Sequence, residues 1–328
     1  MAAEPPAPLL AIEGLQVCVR GGRPIIDGLD LEIAPGEIVA LVGESGCGKS
    51  ITAMSIMRLL PPGGRIAAGS IRLRGDDLLA KSAREMNRIR GGRIGMLFQQ
   101  PQIMLDPTAR VGAQVAEPLR LHRNLSRAAA LERVVALLRE VGIAEPRLRA
   151  RCFAAELSGG MAQRVMIAAA LSGDPELLIA DEPTTALDVT VQAQILRLLV
   201  HERNARGLAI LLITHDLAVV SAVADRVVVM YAGRAVEEGA AATILRRPQH
   251  PYTQALVRCS LLQLDGAGQL VSIPGAAAEA SSVTGGCRFH PRCGTAAGLG
   301  LSACHEHEPP LEAYAEGARA RCWAVGVR

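Results

Sequence analysis

A glycine-rich octapeptide, Gly43–Ser50, has the residue types and the spacing of a phosphate-binding loop. It reads GESGCGKS, follows the apolar segment 37–43 and opens a segment of helical character, 49–60. Glycines allow backbone N–H groups to converge on phosphate oxygens, and a helix N-terminus favours a bound anion. We therefore expect Lys49 to reach the β- and γ-phosphates of a nucleoside triphosphate and the Ser50 hydroxyl to bind Mg²⁺. The residues predicted to bind nucleotide in this loop are Gly43, Glu44, Ser45, Gly46, Cys47, Gly48, Lys49 and Ser50.

Two acidic residues follow a second apolar run, LLIA, at its carboxyl end. Asp181 is suited to hold Mg²⁺, and Glu182 is suited to polarise an attacking water as a general base. The alternative is a solvated acidic turn that caps the next helix. A further apolar run, LAILLIT, ends at His215, which we expect to contact the γ-phosphate.

A second serine–glycine loop, Ser158-Gly159-Gly160, lies in the segment ELSGGMAQR. It leads into a long helical run, so its N–H groups also have access to a bound anion. The chain thus has two predicted phosphate loops more than a hundred residues apart. A single nucleotide site does not explain both.

The elements that must position these residues alternate between strand-like and helix-like segments up to about residue 250. The runs before Asp181 and His215 are continuously apolar, which is typical of strands buried on both faces of a parallel sheet. Helices between such strands supply the crossovers, and functional residues lie beyond the carboxyl ends of the strands. The sequence therefore predicts an α/β fold.

The composition is that of a large globular protein with an aliphatic core. The chain has 328 residues, of which 50% are hydrophobic and 2% aromatic, and its formal net charge is +3. This small charge gives no reason to expect a nucleic-acid partner. No apolar run approaches the roughly 18–20 residues of a membrane span, and the N-terminus lacks the features of a secretory signal, so we expect a cytosolic protein. In that compartment the eight cysteines are expected to be reduced.

Together the motifs resemble those of the ATP-binding subunit of ABC transporters. Besides GESGCGKS and LSGGMAQR, the chain has Gln99 in LFQQP, then LLIADEP, ALD and TH, in the family's order from about Leu10 to Leu261. The Met of the signature loop, the segment RRPQHPYTQAL and the cysteine-containing tail resemble the oligopeptide, dipeptide and nickel importer branch, in particular its D-type subunit.

This resemblance implies a P-loop NTPase fold, in which a RecA-like core carries an antiparallel β subdomain and a helical signature subdomain. The implied ATP-binding domain covers 9–261, with the helical subdomain at about 100–170. The remaining segment, 262–328, is small and polar at its start, and we interpret it as a linker followed by a loop-rich extension with four cysteines.

The resemblance also implies a role for each residue of the hydrolytic site. Lys49 and Ser50 bind phosphates and Mg²⁺, and Asp181 supports the Mg²⁺ ion. Gln99 contacts Mg²⁺ or water. The remaining two assignments are Glu182 as the catalytic base and His215 as a γ-phosphate contact.

In this family the signature loop completes the nucleotide site of a second subunit, in a head-to-tail dimer. Ser158, Gly159 and Gly160 would thus face the partner's ATP, which accounts for two phosphate loops in one chain. Asp188 of the ALD motif would communicate across the dimer, and the helical subdomain would dock onto the membrane partner.

The implied activity is ATP hydrolysis that energises the import of di- or oligopeptides, or of related small solutes. The implied partners are two integral-membrane permease subunits, a second ATPase that is related or identical, and an extracytoplasmic solute-binding protein. We expect a peripheral protein at the cytoplasmic face of the inner membrane. The alternative is a soluble ABC ATPase without a transporter, although such proteins typically have tandem cassettes, a coiled-coil insertion or a different tail.

One pair of positions departs from the family pattern. An aromatic residue near the first strand usually stacks on adenine, whereas this chain has Cys18 and Val19 there. We expect adenine to be held by apolar contact or by another segment, with weaker selectivity for the nucleotide.

Four cysteines lie close together in the tail, at Cys287, Cys293, Cys304 and Cys322. A glycine-rich, weakly hydrophobic segment does not bury enough apolar surface to fold unaided, and four thiolates around a metal would supply the missing stability. Four-cysteine ligation suits a 4Fe–4S cluster, as the family extension also implies, while zinc prefers more closely spaced cysteine pairs. Zinc and plain reduced thiols remain alternatives. Other candidate ligands are His290, His305 and His307.

Overall fold

The computed structural model describes residues 7–19, 22, 24–100, 104–185, 187–261, 263, 268–275, 283 and 285–325. Residues 101–103 of the LFQQPQIMLDP segment lie outside the described residues, as do residues 262, 264–267, 276–282 and 284 in the first part of the predicted linker and extension. The chain divides into two compact units. The first is built from Met1–Leu9, Ile33–Glu37 and Asp77–Ile213, and the second from Leu10–Glu32, Ile38–Asp76 and Thr214–Arg328.

The secondary structure alternates between strands and helices along most of the chain. The strands of the described residues are β1 (Leu10–Val19), β2 (Pro24–Ile33), β3 (Ile38–Val42), β4 (Gly64–Leu73), β5 (Asp76–Asp77), β6 (Ile94–Leu97), β7 (Leu177–Asp181), β8 (Ala209–Thr214), β9 (Arg226–Tyr231), β10 (Arg234–Ala240), β11 (Glu312–Ala315) and β12 (Ala318–Ala320). The α-helices are α1 (Lys49–Ile56), α2 (Ala83–Ile89), α3 (Val111–His122), α4 (Arg127–Glu140), α5 (Pro146–Arg149), α6 (Gly159–Ser172), α7 (Val189–Arg206), α8 (Leu217–Val223), α9 (Ala241–Arg246), α10 (Pro251–Ser260), α11 (Gly294–Leu299) and α12 (Ala303–Glu306).

The first unit contains a parallel arrangement of β6, β7 and β8. Strand β7 lies between the other two, with Ile94 opposite Leu177 and Leu177 opposite Ala209. Every residue of these three strands is buried, which explains why their sequences are continuously apolar. The α/β prediction is confirmed, and the carboxyl ends of β6 and β7 lie at the same edge.

The segment between β6 and α6 contains the helices α3, α4 and α5. Helices α3 and α4 pack against α6, and Val134, Val135, Leu137 and Leu138 form the buried stripe of α4. The side chains of Ser126 and Ser158 cap α4 and α6 by accepting a hydrogen bond from the backbone N–H of the third residue of each helix. A helical signature subdomain is therefore present, as predicted.

The second unit contains an antiparallel sheet with the strand order β2-β1-β4-β5. Its other strands follow the order β11-β12-β10-β9-β3, in which β3 and β9 are parallel and the remaining pairs antiparallel. Tyr231, Tyr252 and Phe289 are buried together in this unit, with ring centroids 4.7–5.4 Å apart. Offset and edge-to-face contacts of this kind contribute about 0.5–1.5 kcal/mol per pair beyond simple burial.

The C-terminal extension adds two strands to the sheet of the second unit. Strand β12 pairs with β10 through Glu237 opposite Ala320, and β11 pairs with β12. The buried Glu237 carboxylate accepts hydrogen bonds from the Tyr314 hydroxyl at 2.8 Å and from the Gln249 and His250 backbone N–H groups at 2.7 and 3.0 Å. Burial raises the pKa of Glu237. This carboxylate joins the extension to the segment that begins α10.

Among the residues that the model describes, no helix has the length and hydropathy needed to cross a bilayer.

We expect Gly173→Ala to lower the free energy of unfolding by more than about 2 kcal/mol. Gly173 ends α6, and a Cβ atom there would lie 1.7 Å from the backbone carbonyl oxygen of Gly91, which has no flexible side chain to move away. The midpoint of urea unfolding measures the effect. Gly298→Ala is the control, because a Cβ at Gly298 meets no atom within 4 Å and helix α11 should tolerate it. Equal midpoints for the two variants would contradict the packing described.

Candidate active site

The glycine-rich loop connects β3 to α1 in the second unit. Gly48 caps α1 in a left-handed conformation, with φ 109°, and the buried Lys49 is the first helical residue. The Lys49 ammonium donates hydrogen bonds to the carbonyl oxygens of Gly43 at 2.6 Å and Glu44 at 3.0 Å. Ser45 and Gly46 at the tip are exposed. The loop therefore has a fixed base and an accessible tip, as a phosphate cradle requires.

The first residue of the loop must be glycine for a steric reason. Gly43 has φ 150°, and a Cβ atom there would lie 2.2 Å from the Met230 carbonyl oxygen on β9 and 2.8 Å from the Cys47 sulfur. Cys47 is itself buried, and burial raises the pKa of its thiol despite the nearby Lys49 ammonium. Cys47 thus acts as a small packing residue rather than as a reactive thiolate.

Two residues that the sequence analysis did not assign contact this loop. The Glu44 backbone N–H donates to the Tyr252 hydroxyl at 2.8 Å, and the Glu44 carboxylate pairs with the Arg292 guanidinium at 2.7 Å. Tyr252 belongs to the RRPQHPYTQAL segment, which the sequence marked only as a family feature. Arg292 directly precedes Cys293, and no motif or spacing pattern in the sequence marks it as a contact of the loop.

The acidic residues predicted for hydrolysis lie at the end of β7 in the first unit. Asp181 is buried, and the next residue, Glu182, has a left-handed backbone with φ 47°. The Glu182 carboxylate accepts hydrogen bonds from Gln99 Nε2 at 2.7 Å and from the Thr185 hydroxyl at 2.9 Å. Gln99 and Glu182 are 83 residues apart in sequence, and the adjacent parallel strands β6 and β7 bring them together. Thr185 was not predicted, although it lies three residues from Glu182.

The signature loop begins helix α6. Ser158 is exposed at the N-cap position and accepts a hydrogen bond from the Met161 N–H, while Gly159 and Gly160 form the first turn. The buried Gln163 donates to the carbonyl oxygen of Pro183 at 2.7 Å, which ties α6 to the turn that follows the acidic residues. The N–H groups of the first turn are thus held in place beside an exposed hydroxyl.

Asp188 caps α7, since its carboxylate accepts a hydrogen bond from the Val191 N–H at 2.9 Å. It is exposed, so the capping role leaves it accessible. His215 is also exposed, directly after β8, and its sequence neighbour Asp216 caps α8 through the N–H groups of Ala218 and Val219. Cys18 is buried in β1 and Val19 is half-buried at the end of that strand.

The four tail cysteines line one pocket in the second unit, together with His250 and His290. None forms a disulfide. Burial raises the pKa of Cys287 to about 12 and that of Cys322 to about 11, and it raises the pKa of Cys304 as well. Among the described residues, no three His, Cys, Asp or Glu side chains are arranged to hold a metal ion. The prediction of a 4Fe–4S cluster is therefore not supported by the arrangement of these side chains.

His250 is a further buried polar group at this pocket. Its Nδ1 accepts a hydrogen bond from the Tyr252 N–H at 3.1 Å, and burial together with the nearby Arg321 lowers its pKa to about 3. The ring is therefore neutral with its proton on Nε2. In the described part of the chain, Nε2 has no hydrogen-bond partner.

Comparison with known protein families identifies two regions of the chain. Residues 26–185 match the ABC transporter family, and residues 236–298 match the oligopeptide/dipeptide transporter C-terminal region. A Brucella ovis protein named for peptide import and ATP binding is 49% identical, over 96% of each chain. An Escherichia coli protein named for D,D-dipeptide transport and ATP binding is 44% identical, again over 96% of each chain.

A solved ATP-binding cassette, MJ0796, matches at a TM-score of 0.64 and 26% identity, over 71% of this chain and 98% of the other. It was determined as a dimer in a post-hydrolysis state with ADP and phosphate. The chain therefore belongs to the ATP-binding proteins of ABC transporters. Within that family it has the C-terminal region of the oligopeptide/dipeptide transporter branch. The predicted family and the P-loop NTPase fold are confirmed, and the family is one of ATPases.

We expect Gly43→Ala to weaken ATP binding by at least tenfold, because the added Cβ displaces the loop from the Met230 carbonyl. Titration with a fluorescent ATP analogue measures the loss. Gly46→Ala is the matched control: Gly46 also has a positive φ, 82°, but a Cβ there meets no atom within 4 Å. It should cost only the backbone strain of about 1 kcal/mol, or roughly fivefold in affinity. A weaker effect at Gly43 than at Gly46 would contradict the steric account.

Proposed function

We propose that this chain is the ATP-hydrolysing subunit that energises the import of di- or oligopeptides, or of related small solutes, through an ABC transporter. The observation that carries the proposal is the pairing of Gln99 with Glu182 after two parallel strands, in a chain that also has the β3–α1 phosphate loop. The names of the Brucella ovis and Escherichia coli relatives support a peptide substrate.

In the proposed reaction, Lys49 and the loop N–H groups bind the β- and γ-phosphates. Ser50, Gln99 and Asp181 offer hydroxyl, amide and carboxylate oxygens, which is a donor set that fits Mg²⁺. Bound Mg²⁺ would neutralise charge on the phosphate oxygens.

Glu182 is proposed to take a proton from the attacking water, which needs a carboxylate that is ionised and oriented. Hydrogen bonds from Gln99 and Thr185 to one carboxylate oxygen support both requirements. His215 is proposed to contact the γ-phosphate.

The signature loop is proposed to act on the partner's nucleotide. Ser158, Gly159 and Gly160 combine an exposed hydroxyl with the N-terminus of α6, which favours an anion. Asp188 is proposed to communicate between the two cassettes. ATP that contacts both cassettes only in the closed dimer shifts the equilibrium toward closure, and hydrolysis removes that preference. The dimeric state of MJ0796 supports this arrangement.

The proposed partners are two membrane permeases, a second ABC ATPase and an extracytoplasmic solute-binding protein, with this chain peripheral at the cytoplasmic face. We also propose the domain limits 9–261 and 262–328 as functional regions. The second candidate function, a soluble ABC ATPase, has no specific support, since the matched C-terminal region belongs to transporters.

We also propose that the tail pocket binds a 4Fe–4S cluster. Two observations favour it. The four cysteines line one pocket, and His250 lines the same pocket. Among the described residues, the Nε2–H of His250 has no hydrogen-bond partner. A thiolate or sulfide would accept that hydrogen bond. The cysteine side chains would have to converge to bind the cluster, because no three ligands are in place among the described residues. Zinc and reduced thiols are the alternatives.

We expect Glu182→Gln to retain ATP binding, abolish peptide uptake and produce a long-lived ATP-bound dimer, because the amide cannot take the proton of the attacking water. Labelled-dipeptide uptake by cells that depend on this chain, and size-exclusion chromatography with ATP, measure the two effects.

Glu176→Gln is the control, because it makes the same change at the opposite end of β7. There the Glu176 carboxylate pairs with the Arg93 side chain. It should leave uptake near normal. Full uptake with Glu182→Gln would reject Glu182 as the base. Normal ATP turnover without uptake of any peptide would favour the soluble ATPase instead.

Anaerobic purification should give about four iron and four sulfide per chain, with visible absorbance of a 4Fe–4S cluster. Cys304→Ser should remove most of this iron, whereas Cys152→Ser, in the first unit, should not. Zinc, or no metal under strict anaerobiosis, would reject the cluster.

A further inference from the structure

The C-terminal extension places a buried arginine against the phosphate-binding loop of its own chain. Arg292 and Glu44 form a two-pronged ion pair, with Nη1 2.7 Å from Oε2 and Nη2 3.1 Å from Oε1. The two residues are 248 positions apart in sequence. Both belong to the second unit.

Arg292 is also held by contacts with residues outside the loop. Its side chain is 2% exposed, and its Nε donates to the carbonyl oxygen of Pro274 at 2.6 Å. The guanidinium carbon lies 5.7 Å from the ring centroid of Tyr231 and 5.9 Å from that of Phe289, within cation–π distance. The pair with Glu44 also raises the pKa of Arg292, so the charge is permanent. A side chain held in this way is suited to orient its partner.

Glu44 transmits this orientation into the loop through its main chain. Its N–H donates to the Tyr252 hydroxyl at 2.8 Å, and its carbonyl oxygen accepts from the Lys49 ammonium at 3.0 Å. Tyr252 packs on Tyr231 and Phe289, the same rings that flank Arg292. One residue of the loop is thus fixed at its carboxylate and at its N–H, and it contacts the lysine expected to bind phosphate.

We infer that Arg292 is a positioning residue for ATP binding, so that the C-terminal extension forms part of the nucleotide site of its own chain. The inference rests on the proposed function, which it deepens by adding a residue to that site. Arg292 acts through Glu44 and does not contact the reacting atoms. A loop that is already ordered loses less conformational freedom on binding phosphate, so the effect falls on nucleotide affinity more than on the chemical step.

The test is ATP titration and steady-state hydrolysis with the full chain in its assembled transporter. We expect Arg292→Ala to raise the KM and the Kd for ATP about tenfold, with kcat within about twofold. Arg292→Lys should give a smaller rise, because an ammonium cannot form the two-pronged pair. Glu44→Gln should resemble Arg292→Ala, and the double variant should be no worse than the more severe single one, since both remove the same interaction.

Arg319→Ala is the matched control. Arg319 is also an arginine of the tail, and it pairs with the carboxylate of Glu238 on β10. That site does not include the loop. It should leave the KM for ATP unchanged. An unchanged KM in a folded Arg292→Ala protein overturns the inference, as does an equal rise with Arg319→Ala. If Arg292→Ala fails to fold, Glu44→Gln decides, because Glu44 is partly exposed and its loss leaves the chain's core intact.

The two failures are distinguishable. If the wild-type protein binds ATP and Lys49→Ala abolishes binding while Arg292→Ala does not alter it, the proposed function stands and only the role of Arg292 is lost. If the wild-type protein does not bind ATP, the proposed function itself fails.

Discussion

The conformation of the proposed phosphate-binding loop depends on a close approach between two backbone segments at Gly43. The loop leaves β3 directly beside the Met230 carbonyl of β9, in a space that has no room for a Cβ atom. Five residues later Gly48 adopts a left-handed conformation and starts α1. These two glycines determine where the chain leaves the sheet and where the helix begins. Between them the Glu44 N–H donates to the Tyr252 hydroxyl and the Cys47 N–H to the Glu44 carbonyl, so the loop closes on itself. The N-terminus of α1 directly follows, and a helix N-terminus favours a bound anion.

A residue of the C-terminal extension, Arg292, contacts the loop at Glu44. The Arg292–Glu44 pair is bidentate, and its arginine lies among the aromatic rings of Tyr231 and Phe289. A buried pair of this kind adds little net stability, because removing two charges from water offsets most of their attraction. Losing one partner costs more than the pair contributes, since the other charge is left without compensation, and the partial exposure of Glu44 reduces that cost. The pair therefore acts mainly by specifying one geometry for the start of the loop.

The residues proposed for hydrolysis, in the first unit, depend on a different constraint, the alignment of parallel strands. Adjacent strands β6 and β7 end at the same edge, and Gln99 and Glu182 lie just beyond those ends. Glu182 has a left-handed backbone, which costs about 1–3 kcal/mol for a residue with a side chain. Its N–H donates to the Ile213 carbonyl at 2.8 Å, and this bond to the neighbouring strand helps to hold the strained conformation. In this backbone conformation the Glu182 carboxylate accepts hydrogen bonds from Gln99 and Thr185.

The sequence by itself determined the fold class and the family, and it predicted the phosphate loop, the signature loop and the acidic strand end. Each of these depends on local spacing: glycines where the backbone needs positive φ or close approach, continuous apolar runs for strands buried on both faces, and polar residues directly after them. Only the tertiary structure decided that Arg292 and Tyr252 contact Glu44, that β12 joins β10, and that the four tail cysteines share a pocket without forming a metal-binding group among the described residues. These contacts join residues up to 248 positions apart, and such pairings leave no periodic pattern in the chain because they depend on which elements pack together.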